Sequence, residues 1–129
     1  MGELFFVYGT LMSGYTHDVA QRFHQSSTFL SLGYMEGKLF DLGQYPAATY
    51  EPNSDSKVWG EIWVVQNFEE VSRMLDEYEG IFDNDPEYIR QKVAVISQTQ
   101  SIFNCWTYLL NNSYPKSHFK YIVSGNYKL

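Results

Sequence analysis

The chain has 129 residues, a formal net charge of −6 and one cysteine. That length suits one compact domain over residues 1–129 and is too short for two ordinary ones. The acidic balance, with no cluster of Lys or Arg to offset it, argues against nucleic acid and against an anionic membrane surface as partners. A lone Cys105 excludes an intrachain disulfide and a thiolate metal cluster.

Aromatic residues make up 18% of the chain, with eleven Tyr against three Trp. Rings with a polar tip suit the wall of a polar ligand pocket as well as a core. No apolar run is long enough to span a bilayer, and no basic region precedes an apolar one at the N-terminus. The cytoplasm is therefore the expected compartment.

In chain order, Leu4 to Tyr8 reads as a strand of aromatic and β-branched residues. Gly9 to Gly14 follows as a loop, and a short helix is expected over about Asp18 to His24. A long β region near Thr28 to Phe40 is interrupted at Gly33 and Gly37, where bulges or bends are expected. Asp41 to Pro46 reads as a turn. Ala47 to Tyr50 and Lys57 to Val65 read as strands around the polar loop Glu51 to Asp55.

One helix is marked at both ends. Asn67 can cap it, with Glu70 three residues on as its capping-box partner. Phe68, Val71, Met74, Leu75 and Tyr78 repeat at helical spacing, and Gly80 stands where a left-handed terminator belongs. Tyr88 to Ile96 and Ile102 to Leu110 then read as an antiparallel hairpin, and the chain ends on an apolar stretch, Tyr121 to Gly125. Six or seven strands with two helices give an α+β domain, its sheet curled into a small mixed β-barrel.

Three carboxylates crowd the end of the second helix. At about 100° per residue, Glu79 lies ~40° from Leu75 and ~20° from Phe68, on the edge of the apolar stripe. Asp76 and Glu77 fall further round, towards solvent. Glu79 is thus the carboxylate aimed at the interior, where burial and the negative helix end both raise its pKa towards the range of a general acid/base. The competing reading is an exposed Glu79, or one paired with Arg73, Arg90 or Lys92.

The loop Tyr8-Gly9-Thr10-Leu11 has its own logic. A glycine at a strand end admits close backbone approach, and consecutive N–H groups then hold a carboxylate or an oxyanion. A plain turn would look the same. No nucleotide-binding fingerprint or nucleophile elbow is present. His17, His24 and His118 lack metal-ligand spacing, so no metal site is expected. Cys105 sits in a strand as a small buried hydrophobe.

Taken in order, these segments resemble the γ-glutamylcyclotransferase-like, or AIG2-like, family. Phe6 to Leu11 is similar to its opening motif. Gly37 to Gly43 with Tyr45-Pro46-Ala47, and Val58 to Trp63, are similar to its second and third blocks. Leu75 to Gly80 matches the segment carrying the family's catalytic Glu, and Tyr88 and Arg90 follow as Tyr-x-Arg.

The resemblance implies a small barrel enzyme without a cofactor, acting on a small γ-glutamyl substrate. It maps substrate binding onto Tyr8, Gly9, Thr10 and Leu11, the acid/base onto Glu79, and a pocket wall onto Tyr88. Thr10-Leu11 agrees with the compact branch that includes γ-glutamylamine cyclotransferases. The expected reaction forms 5-oxoproline. A binding module of the same fold and an amidohydrolase using Glu79 to activate water are the alternatives, and monomer and homodimer stay equally open.

Overall fold

The computed structural model describes residues 2–111 and 119–127. His118 lies outside them. The element order is β1 (Glu3–Val7), α1 (Asp18–Gln25), β2 (Ser27–Asp41), β3 (Pro46–Tyr50), β4 (Lys57–Val65), α2 (Phe68–Glu79), β5 (Tyr88–Ser97), β6 (Ile102–Leu110) and β7 (Lys120–Ile122).

The strands pair in the order β3-β2-β4-β1-β6-β5, and a further β2–β5 pairing closes five of them into a barrel. Strands β3 and β7 extend it through β2. All pairings are antiparallel except β1 with β6, where Phe5 faces Trp106 in parallel register. The expected mixed barrel with flanking helices is the fold observed.

Strand β1 is apolar on both faces because both faces are buried. Phe5 and Val7 pack with Phe23, Trp63, Leu75 and Tyr108 beneath the helices. Phe6 and Tyr8 point the other way, against Met35, Val58, Ile62 and Leu109 inside the barrel. Strand alternation thus builds two cores from one run of aromatic residues.

Helix α2 ends where its signals require. Asn67 Oδ1 accepts from the Glu70 amide while Asn67 Nδ2 donates to Glu70 Oε2. Gly80 takes the left-handed conformation at φ 74°, which a glycine adopts without a Cβ penalty. That turn makes Glu79 the last helical residue and faces it across the helix end.

The long strand corrects one expectation. Gly33 and Gly37 keep regular register, and the shift falls instead between Phe29 and Ser31. The two glycines serve close approach: a Cβ would lie 2.8 Å from Ile96 O at Gly33 and 1.9 Å from Thr49 O at Gly37. Cys105 is fully buried in the barrel, and burial pushes its thiol up to about 12, so it is an inert packing group.

Candidate functional site

Strand β1 delivers Tyr8 to the barrel mouth and releases the chain into the Gly9–Gly14 loop. Helix α2 ends opposite, and β5 begins beside it. The result is a cavity of about 410 Å³ lined by Tyr8, Gly9, Thr10 and Leu11 from the first segment, Glu79 from the second and Tyr88 from the third. All six residues singled out in the sequence meet at this one cavity.

Gly9 occupies a tight position. A Cβ there would meet Pro46 Cγ at 2.7 Å, so the missing side chain lets the loop pack on Pro46. Pro46 also holds Tyr88, whose hydroxyl donates to the Pro46 carbonyl at 2.5 Å.

The loop's amides are oriented by what holds their carbonyls. Met12 N–H donates to Gly9 O at 3.1 Å, and His17 Nε2–H donates to Thr10 O at 2.7 Å. In a trans peptide the N–H points opposite the carbonyl. The Thr10 and Leu11 N–H groups are therefore turned away from these contacts, and neither finds an acceptor among the described residues. Two adjacent free N–H groups form a cradle for an anion or an oxyanion.

Glu61 fastens the far end of the loop. It is a buried carboxylate on β4, accepting from Ser13 N at 2.8 Å, Ser13 Oγ at 2.7 Å and Trp63 Nε1 at 3.1 Å. Glu61→Ala leaves the Trp63 N–H and the loop without their acceptor. It is expected to lower unfolding free energy by about 2–4 kcal/mol, read as a shift in the urea midpoint at unchanged m-value.

Glu79 is enclosed by phenols that do not hydrogen-bond to it. Tyr8 donates to Tyr108 O at 2.5 Å and accepts from the Ala48 amide. Tyr88 donates to Pro46 O, and Tyr108 donates to Asp76 Oδ1 at 2.6 Å. Every nearby phenolic proton is committed elsewhere, and Glu79 has no hydrogen-bond or ion-pair partner among the described residues. Glu79 is half-buried and opens onto the cavity, and the burial it does have pushes its pKa up to about 8. Burial first, and then the Glu79 carboxylate, raise the pKa of Tyr8; at Tyr88 burial leads, followed by Tyr8 and then Glu79, and at Tyr108 burial and the bond to Asp76 do so.

Asp76 corrects a second expectation. It is buried, with 5% of its surface exposed, rather than turned to solvent. Besides the Tyr108 hydroxyl it faces Arg90 Nε at 3.0 Å. That contact lacks hydrogen-bond alignment and acts as an ion pair. The guanidinium packs over Trp106 at 4.7 Å and Phe68 at 5.4 Å. Arg90 therefore pairs with Asp76, one turn before Glu79, and leaves Glu79 alone. Glu77 is exposed, as the helical geometry implies.

The charged side chains lining the cavity are Glu77, Glu79, Asp83 and Glu87; among the described residues no Lys, Arg or His joins them. No three His, Cys, Asp or Glu of the described residues gather as a metal site, and no described helix is long and apolar enough to cross a membrane.

A small closed barrel whose cavity is lined by an acid without a partner among the described residues and by two N–H groups without an acceptor there suits a small ligand. The chain belongs to the family described as gamma-glutamyl cyclotransferase, AIG2-like, which it matches over residues 5–129. No curated protein matches it. Among solved structures it is similar to an AIG2-like protein from Mus musculus (24% identity, TM-score 0.75), covering 97% of this chain and 87% of that one. YkqA from Bacillus subtilis is similar at 23% identity and TM-score 0.73; the match takes in 99% of this chain but only 40% of YkqA. A structure named gamma-glutamyl cyclotransferase matches at 19% identity and TM-score 0.61, over 93% of this chain and 68% of that one. These identities carry the fold.

Proposed function

We propose that the protein cyclises a γ-glutamyl amide to 5-oxoproline and a free amine, with Glu79 transferring the proton. The observation that carries this reading is a Glu79 carboxyl without a partner among the described residues, lining one cavity of about 410 Å³ with Thr10 and Leu11, whose N–H groups find no acceptor among those residues.

The substrate supplies its own nucleophile. Its α-amine is largely protonated at neutral pH. Once the ammonium has given one proton to solvent water, the neutral nitrogen attacks the side-chain carbonyl carbon and closes a five-membered ring. The carbonyl oxygen takes up the electron pair, and the Thr10 and Leu11 amides offer it hydrogen bonds.

The nitrogen then loses a second proton to Glu79, which passes it to the departing nitrogen as the original C–N bond breaks. One nitrogen loses a proton and the other gains it. Folding the donor in a 410 Å³ cavity supplies the proximity that such ring closure needs.

The acidic lining favours γ-glutamylamines over γ-glutamyl amino acids, whose extra carboxylate would face Glu77, Asp83 and Glu87. Mass spectrometry of the protein incubated with both donor types tests the proposal. The expected result is 5-oxoproline, formed faster from the amine donors. Free glutamate would instead mean hydrolysis, and binding without any product would leave a non-catalytic module of the same fold.

A further inference from the structure

His17, the cap of α1, and His24 within it both reach the loop, and they hold different peptides. His24 Nε2–H donates to Leu11 O at 2.7 Å, in the peptide whose N–H is that of Met12. That N–H is already used by Gly9 O. His17 Nε2–H donates to Thr10 O, in the peptide whose N–H belongs to Leu11 and is free. His24 fastens a closed turn, whereas His17 fastens one of the two peptides with a free N–H at the cavity.

His17 is itself fixed from two other sides. Its Nδ1 accepts from the Ala20 amide at 3.3 Å, capping α1. With one nitrogen accepting and the other donating to a carbonyl, the ring is the neutral Nε2–H tautomer. The ring also stacks on Tyr78 at 5.4 Å and 16°, and the Tyr78 hydroxyl lies 3.0 Å from Thr10 Oγ1. The imidazole thus spans the start of one helix, the last turn of the other and the loop between them.

We infer that His17 is a positioning residue that sets the direction of the Leu11 N–H towards the substrate. It touches no reacting atom and works through the Thr10–Leu11 peptide plane. The inference rests on the proposed cyclisation only for the identity of the ligand.

Three substitutions separate this role from plain structural support. His17→Asn keeps a good helix cap but is too short to reach Thr10 O. His17→Phe keeps a ring against Tyr78 and removes both hydrogen bonds. His17→Gln restores an N–H at the distance of Nε2. With the best γ-glutamyl donor, His17→Asn and His17→Phe are expected to lose at least about tenfold in kcat/KM, in line with a misaimed oxyanion donor. His17→Gln should stay within a few-fold of wild type.

An amide NMR titration with 5-oxoproline reads the same group without turnover. The Leu11 N–H resonance is expected to move in wild type and in His17→Gln, and to stay in place in His17→Asn. An unmoved Leu11 resonance in wild type, or equal responses in wild type and His17→Asn, overturns the inference. If no donor yields 5-oxoproline, the cyclisation reading fails, while the titration still decides the role of His17.

Discussion

Glu79→Gln is expected to lower kcat/KM for 5-oxoproline formation by about 10²–10⁴, the usual worth of a positioned acid/base. The amide preserves shape and hydrogen-bonding atoms but cannot exchange a proton. In wild type the rate should climb with pH as Glu79 ionises near 8, and that limb should vanish in the variant. Full turnover by Glu79→Gln would remove the residue from the mechanism.

The same substitution has a stability signature of defined sign. Between pH 4.5 and 8 the unfolded chain ionises Glu79 while the folded protein keeps it protonated. Folding takes up a proton across that window. The stability tied to this group is complete below pH 4.5 and drains away as pH rises through 8. Glu79→Gln is therefore expected to gain on wild type with rising pH, by at most about 5 kcal/mol above pH 8 and less to the extent that solvent screens this half-buried group. Denaturant titrations at pH 5 and 8.5 check the trend.

A large loss of stability is expected at Arg90. Arg90→Ala strips a buried Asp76 of its cation and removes the cover over Phe68 and Trp106. Breaking a buried pair from one side costs about 3–5 kcal/mol, and the partial exposure of Arg90 places it near about 3 kcal/mol. Adding Asp76→Asn should recover part of that loss, since the stranded charge is what costs most. Additive effects of the two substitutions would show that the pair is not coupled.

Elements with local signals were legible in the sequence. The cap at Asn67 and the terminator at Gly80 both depend on residues a few positions apart. Glu79 was readable because its angle to Leu75 and Phe68 is also a local quantity.

Asp76 was misplaced because its partners, Tyr108 and Arg90, come from strands that no helical wheel contains. The loop's supports were missed for related reasons. His17 is not a usual capping residue, and its second bond crosses to Thr10. Glu61 did leave a sign: it lies in phase with Trp63 and Val65 along β4, so alternation alone put a carboxylate on the core face. The shift near Leu30 had no such marker, and the glycines that drew attention serve backbone contacts instead.

The cavity is walled by two kinds of structure. Tyr8 and Tyr108 belong to core strands or their ends, and Glu79 sits on a helix whose Val71 and Leu75 are in the core. Its rim comes from surface connections: Tyr45 before β3, and Asp83 and Glu87 between α2 and β5. Such connections tolerate exchange far better than buried strands do. The lining of the mouth and the position of the acid are thus separately heritable: the rim can be rewritten, one loop at a time, around an acid that stays where it is.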